Sequence, residues 1–585
     1  MEISKQAYSR SELMTQYGID KATFRKWFKQ FSYSDVNEYG KYRRCIAAKD
    51  VEAVLNNPEY LRERECERFL SDSILTSPFA RIADERLASH RTIQALLKKK
   101  QHKTRYILHI GPTNSGKTYH AIQALHNAKC GAYFGPLRLL ALEIYDSLNS
   151  DGVICSLETG EERILIPFAS VTASTVEMFD RTRHYDIAVI DEVQCISDPN
   201  RGSHWGAAIF QIDADEVHLC MAPEAEHLIQ KVLEYSGASV EIRKYERLTP
   251  LAFCGVMHSL DEIQPGDALI AFSRKKVLTT AAELEARGIK TSVLYGNLPP
   301  MARREEVRRF TSGESQVMVA TDAIGMGVSL PIRRVIFCEI EKYNGTSIRK
   351  LSASEVKQIA GRAGRYGKFE AGEVLTMTEP DFIQRQLSKT IVPIQKMTLP
   401  FPIQLVTDTR LLYLYLRKWN DEYAVPGKEC QYEDMSRALV LLKKLQYPFT
   451  DYSIDILLRL ITCPFNESDR RLMAYWYQCC EKFHNHQPIE KPNFDESSLE
   501  GCEAQYRAYE LGYRLVASEE EKQEFEQCRN EVCDKVTALL LKDKASHLLR
   551  CKYCGGRLSS NESNGVCASC QLSTQNNMAR ITEQI

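Results

Sequence analysis

The chain has 585 residues, 76 Lys+Arg against 77 Asp+Glu, and 19 cysteines; at roughly 100 to 200 residues per domain, that length implies about three to five domains. No apolar run nears the roughly 18 to 20 residues that cross a bilayer, and the opening MEISKQAYSRSELMTQYGID has no apolar stretch, which argues against membrane insertion and secretion. Cysteines scattered singly through apolar segments, among them Cys130, Cys155, Cys220 and Cys338, suit reduced thiols, and the early Glu2, Glu12 and Asp20 are unlike an acid-poor mitochondrial leader, so a cytoplasmic protein without a membrane partner is expected.

Residues 1–103 hold 20 Lys+Arg against 14 Asp+Glu, so the basic surplus sits at the front. An anion-binding module or a solvated basic face accounts for it equally well. Ser9 to Glu12 reads as a capping box opening one helix, Gly18 as a turn, and Asp20 as the cap of a second helix carrying Lys21, Arg25, Lys26 and Lys29 with Phe24, Trp27 and Phe28. The stretch YGKYRRCIAAKDVEAVL reads as a short wing and a third helix. Residues 1–70 thus resemble a winged helix-turn-helix of the MerR or excisionase kind, whose second helix reads or anchors nucleic acid, protein docking being the competing use. A helical linker is expected over 71–103.

From about residue 104 short apolar runs alternate with helical patterns: YILHI, GAYFGP, DIAVIDEV and VHLCMAP, then ALIAFS, TSVLYG, QVMVATD and RRVIFCEI. Such runs are buried parallel strands, numerous enough for two doubly wound α/β units over 104–248 and 249–395, joined near Tyr245 to Pro250. The strand Tyr106 to Ile110 runs into Gly111, Pro112, Thr113, Asn114, Ser115, Gly116, Lys117 and Thr118 and then a helix, which meets the P-loop spacing in its proper context. Gly116 lets backbone approach phosphate, Lys117 reaches the β/γ-phosphates of ATP, and Thr118 offers a hydroxyl to Mg²⁺. Asp191 and Glu192 end another strand, at the sheet edge where ligands bind: Asp191 suits Mg²⁺, and Glu192 suits deprotonation of the attacking water. In QIAGRAGRYG, Arg362 and Arg365 stand one helical turn apart and point across a cleft to stabilise charge on the γ-phosphate.

After Pro400 the pattern turns helical, in RLLYLYLRKW, RALVLLKKL and ESDRRLMAYWY, and a helical domain is expected over 396–545. Beyond it Cys551, Cys554, Cys567 and Cys570 form two C-x2-C knuckles 12 residues apart, a tetrahedral donor set for a structural Zn²⁺ in a zinc ribbon over 546–585.

Taken in order, the P-loop, GPLRLLALEIYD, TGEER, ASTVEM, DEVQ, YERLTPL, AFSRKKV, YGNLPPMAR, ATDAIGMGVSLPIRRVIF and QIAGRAGRYG resemble a superfamily 2 DExH-type helicase. The likeness is nearest to the mitochondrial RNA-degradosome (Suv-three-like) helicase family and its bacterial relatives, and covers roughly residues 104–400. It implies tandem RecA-like P-loop domains and ATP-driven 3′ to 5′ translocation on a strand, commonly RNA. By this resemblance Arg138, Thr175, Ser273, Arg274 and Thr321 grip backbone phosphates, which position a strand without reading it. Asp322 and Gly325 link that grip to the nucleotide, and Gln358 approaches the γ-phosphate or its water. Gln194 stands where DExH proteins carry His, as in this subfamily, and LCMAPEAE departs from the usual form of its motif.

The expected protein is therefore an ATP-dependent nucleic-acid helicase, an NTP hydrolase acting on RNA in processing or decay. The rivals are a DNA translocase in repair, regulation or defence, and an ATP-gated clamp that recruits a nuclease partner. Oligomeric state is left open.

Overall fold

The computed structural model describes residues 7–17, 19, 21–38, 41–93, 96, 104–160, 162–325, 330–343, 347–421, 429–445 and 448–546. Gly18, Asp20 and the four knuckle cysteines, Cys551, Cys554, Cys567 and Cys570, lie outside the described residues.

At the N-terminus Lys41–Ala47 pairs antiparallel with both Ala7–Ser9 and Ser34–Glu38. The helix Arg10–Gln16 opens with the expected capping box, in which the Ser9 backbone N–H donates to the Glu12 carboxylate at 2.8 Å and Ser9 Oγ accepts from the Glu12 N–H. The next helix, Lys21–Trp27, places Phe24 in a small core with Leu13, Phe28, Ile46 and Val51, while Arg25, Lys26 and Lys29 stay exposed. A further helix, Pro58–Phe69, lies beside it: Glu63 accepts from Trp27 Nε1 at 2.8 Å and pairs with Lys26.

Two α/β units follow. The sheet of unit one has the order Ser239–Lys244, Arg105–Ile110, Asp213–Met221, His184–Ile190, Gly131–Gly135, Val171–Thr175, Cys155–Glu158 and Arg163–Ile164. Only the last pairing is antiparallel. Unit two is wholly parallel, in the order Leu251–Val256, Gly372–Thr376, Arg334–Phe337, Asp267–Ile270, Val317–Ala320 and Thr291–Leu294. Helices cover both faces of each sheet, which explains the unbroken apolar runs of the central strands. The loops that carry the candidate site leave the C-terminal edges of these strands.

The helical region contains Leu412–Asp421, Ser436–Lys444, Ile454–Thr462, Arg470–His484, Leu499–Leu515 and Glu519–Ser546. Trp419 and Trp476 are fully buried, with their indole N–H groups donating to Glu433 O and Leu460 O at 3.0 Å. One apolar core runs from unit one through this region and reaches one face of unit two. Leu499–Leu515 is packed so closely that a Cβ on Gly501 would sit 1.9 Å from Asp495 O. The described cysteines are free thiols, most of them buried.

At the base of unit two, Asp267 is fully buried and accepts from Arg334 Nε and Nη2 at 2.7 and 2.6 Å, while Arg334 Nη2 also donates to Glu262 O at 2.9 Å. Removing one partner of such a pair strands a buried charge. Asp267→Ala is expected to cost about 3 to 5 kcal/mol of the stability of unit two, measured as an early transition in urea unfolding followed by circular dichroism.

Candidate active site

The P-loop turns on two residues of positive φ, Asn114 at 62° and Gly116 at 77°, before the helix Lys117–Leu125 begins. Lys117 is buried at that helix start, its Nζ donating to Pro112 O at 3.3 Å across the curve of the loop. Thr118 Oγ1 lies 3.2 Å from both Asp191 carboxylate oxygens, and Tyr133 OH donates to Oδ2 at 3.1 Å. Burial, and then the neighbouring Glu192, push the Asp191 pKa up to about 6, while Lys117 opposes the shift. A buried carboxylate beside a hydroxyl is the hard oxygen donor set that suits Mg²⁺.

Glu192 adopts a left-handed backbone, φ 51°, which costs a non-glycine residue about 1 to 3 kcal/mol unless its surroundings enforce it. They do. Trp205 Nε1 donates to Asp191 O at 3.0 Å from one side, and Gln194 Nε2 donates to the Glu192 carboxylate from the other. The other end of the Gln194 amide accepts from Ala222 N at 3.1 Å. Two residues on, Glu224 O accepts from Ile394 N at 2.8 Å. The atypical APE segment thus links the acid to the C-terminal end of unit two.

The cleft beside Lys117 and Glu192 encloses about 490 Å³ and is lined across the gap by Ser354, Lys357 and Gln358. Arg362 does not line it; its Nε and Nη2 donate to Gly325 O at 3.0 and 2.6 Å, joining the arginine loop to the segment that holds Asp322. Burial lowers the Arg362 pKa, against the opposing fields of Glu192, Glu143 and Asp191. Asp322 itself pairs with Lys342 at 2.9 Å. Arg365 is half-buried on the same loop.

Between the units runs a set of contacts that sequence reasoning missed. Arg247 donates to Thr113 O at 3.1 Å, Gly361 O at 2.8 Å, Thr249 O at 2.7 Å and Ala363 O, so that one guanidinium holds the P-loop, the connecting segment and the arginine loop. Asn114 Nδ2 adds bonds to Gly364 O at 2.7 Å and Thr249 Oγ1 at 2.8 Å. Gly361 is required here, since a Cβ would meet Thr113 Cβ at 2.8 Å. The signal was present in YERLTPL, whose arginine sits at the joint between two strand series.

Of the residues expected to grip a strand, Arg138 and Thr175 line a cavity of about 730 Å³ between unit one and the helical region, together with Arg437, Phe465 and Arg514. Ser273 caps the helix Arg274–Ala286 and accepts from Lys276 N at 3.1 Å; Thr321 Oγ1 accepts from Ala323 N at 3.2 Å. Arg138 and Arg274 are engaged by acids of one helix, Glu510 at 3.3 Å and Glu503 at 3.0 Å.

Residues 93–245 match the DEXQ-box helicase domain of Suv3, and residues 251–367 match the helicase conserved C-terminal domain. Residues 93–367 are thus similar to the core of a Suv3-type helicase. The ATP-dependent RNA helicase SUV3, mitochondrial, of Candida albicans is 45% identical over 45% of this chain and 38% of its own length. The human ATP-dependent RNA helicase SUPV3L1, mitochondrial, is 42% identical over 49% of this chain and 39% of its own. DExH-box ATP-dependent RNA helicase DExH16, mitochondrial, of Arabidopsis thaliana is 44% identical over 50% and 52%. The matched part thus spans about two fifths to one half of these relatives.

These relatives correct the expectation of a cytoplasmic protein, because each is a mitochondrial protein by name. The physical reason is plain in the fold. Glu12 serves the capping box of a packed helix, so acids near the start reflect domain structure and carry no address.

For the Suv3-type core, Arg247→Ala removes hydrogen bonds to four carbonyls at the joint between the units. ATP turnover is expected to fall at least about tenfold, since bonds made by charged groups are worth roughly 1.5 to 3 kcal/mol each, while binding of a fluorescent ADP analogue to the P-loop changes by less than about threefold.

Proposed function

We propose that this chain is an ATP-driven helicase that moves along single-stranded RNA with 3′ to 5′ polarity, in RNA processing or decay. The observation that carries the reading is Glu192, set at the cleft by Trp205 and Gln194 and facing Gln358 of the opposite unit. A carboxylate fixed at the cleft beside the P-loop lysine suits deprotonation of an attacking water. The relatives that share the core are named ATP-dependent RNA helicases.

In this reading the P-loop amides and Lys117 bind the ATP phosphates. Mg²⁺ carried in with ATP would be held by Thr118 and Asp191, and supplies neutralising charge for the phosphates. Glu192 takes the proton from water, Gln358 orients that water or the γ-phosphate, and Arg362, turning inward from its Gly325 contact, stabilises charge together with Arg365 as the units close. Arg138, Thr175, Ser273, Arg274 and Thr321 hold the strand backbone. Gln194, Ala222 and Glu224 connect the state of Glu192 to the C-terminal end of unit two, a route by which hydrolysis resets the grip. Residues 1–70 serve as a winged-helix-like module, in which Glu63 engages Trp27 and Lys26 of the second helix while Arg25 on that helix and Lys29 just beyond it stay exposed. The helical domain over 396–545 backs both units, and residues 546–585 form a zinc ribbon that holds about one Zn²⁺ per chain, countable by atomic emission on protein purified without chelators.

Strand displacement on matched RNA, DNA and hybrid duplexes, each with a 3′ or a 5′ overhang, tests the whole reading. Unwinding of RNA from a 3′ overhang is expected; activity confined to DNA duplexes points to a translocase instead. Glu192→Gln is expected to keep ATP binding and lose turnover by about 10² or more. Wild-type turnover in that variant takes the base role away from Glu192. RNA stimulation of ATPase should weaken steeply as salt rises from 50 to about 200 mM, because phosphate contacts release counterions.

A further inference from the structure

One helix reaches both halves of the candidate strand path. Leu499–Leu515 is buried around almost its whole circumference, and its buried side chains include two acids, Glu503 and Glu510. Seven residues apart, they lie two turns from each other on one face, about 10 Å along the axis. Glu503 pairs with Arg274 at 3.0 Å and accepts from Tyr295 OH at 2.6 Å, both groups of unit two. Glu510 pairs with Arg138 of unit one at 3.3 Å, flanked on its own helix by Arg507 at 2.7 Å and Arg514 at 3.4 Å. Arg507 also donates to Gly296 O of unit two at 3.2 Å.

Arg138 and Arg274 are the two cations that the helicase reading assigns to backbone phosphates, and here carboxylates stand against both. A carboxylate and a phosphate present a guanidinium with the same kind of charged acceptor. The carboxylate side chains are only 9% and 6% exposed, against 27% and 28% for their arginines, so the acids occupy the inner side of each pair. Three arginines surround Glu510, and burial depresses the pKa of Arg138 to about 9 and lowers that of Arg507. The three arginines outnumber the carboxylates beside them, Glu510 and, acting on Arg138 through its field, Glu162. Because one helix makes both pairs and the pairs belong to different units, a strand that displaces one acid loosens the hold on the other.

We propose that Leu499–Leu515 is a strap whose Glu503 and Glu510 stand in for two backbone phosphates, keeping Arg274 and Arg138 engaged until a nucleic-acid strand replaces them. The proposal rests on the helicase reading and adds its regulation: without a strand the units are tied through one helix, and with a strand that tie is exchanged for the backbone. Breaking two buried pairs reduces the fraction of molecules ready to bind, which weakens apparent affinity by that fraction.

Fluorescence anisotropy of a labelled single-stranded 20-nucleotide poly(U) RNA, on the full chain at fixed salt, tests this. Glu503→Gln and Glu510→Gln are each expected to tighten binding about threefold or more, and the double variant about tenfold, whereas Glu510→Asp keeps the charge and stays within about twofold of wild type. Should a glutamine variant fold poorly, hydrogen exchange on wild-type protein decides the matter: amides of residues 499–515 are expected to exchange faster once poly(U) is bound. Unchanged or weaker binding by glutamine variants that melt normally, or slower exchange in this helix on binding, overturns the strap and leaves two structural ion pairs. Wild-type protein that binds neither RNA nor DNA single strands removes the helicase reading along with the strap, so the two failures are told apart.

Discussion

The Arg247 guanidinium holds the P-loop of one α/β unit against the arginine loop of the other, and the geometry of the cleft depends on it. All of its partners are backbone carbonyls, at Thr113, Thr249, Gly361 and Ala363. Carbonyls have no side chain of their own to turn away, so the contact fixes main chain to main chain across the joint. Burial lowers the Arg247 pKa to about 10, still well above neutrality, so the charge that binds these carbonyls persists. A close approach of backbones also dictates composition: Gly361 and Gly364 leave no room for a Cβ, and Gly364 takes a φ of 73° between the two candidate arginines.

Around this joint, polar links and apolar packing divide the work. The apolar core joins unit one to the helical region and reaches one face of unit two. Within the cleft the contacts are hydrogen bonds made by charged groups, each worth roughly 1.5 to 3 kcal/mol, and other polar partners such as water or ligand oxygens are able to take their place. Such an arrangement permits closure around a nucleotide without repacking a core. The Gln194 amide illustrates it: both of its ends are used, one on Glu192 and one on Ala222, so a shift at either end is felt at the other. The same economy shows in Leu499–Leu515, which presents acids to both units from one rigid element.

Much of the fold was legible in the chain itself. The capping box at Ser9, the P-loop with its following helix, the strands ending at Asp191 and Ala320, and the change to helical spacing after Pro400 are patterns of local sequence, decided within a few residues by hydrogen bonding and side-chain period. The order of motifs along the chain was enough to anticipate two parallel sheets, because alternating strand and helix patterns leave few other ways to bury both faces. What the motifs did not convey was which partner each polar side chain meets.

That was settled by tertiary structure alone. Arg247 faces carbonyls more than a hundred residues away in both directions, and Arg138 and Arg274 meet acids on a helix that carries no recognised motif. An arginine in a sequence is a charge with a long reach, equally suited to phosphate, carboxylate or carbonyl, and only packing chooses among them. The sequence by itself determined that a phosphate-binding loop, paired acids and an arginine loop would sit at the edges of two sheets. Tertiary structure decided how those edges face each other and which acids Arg138 and Arg274 meet, because both follow from the three-dimensional meeting of segments far apart along the chain.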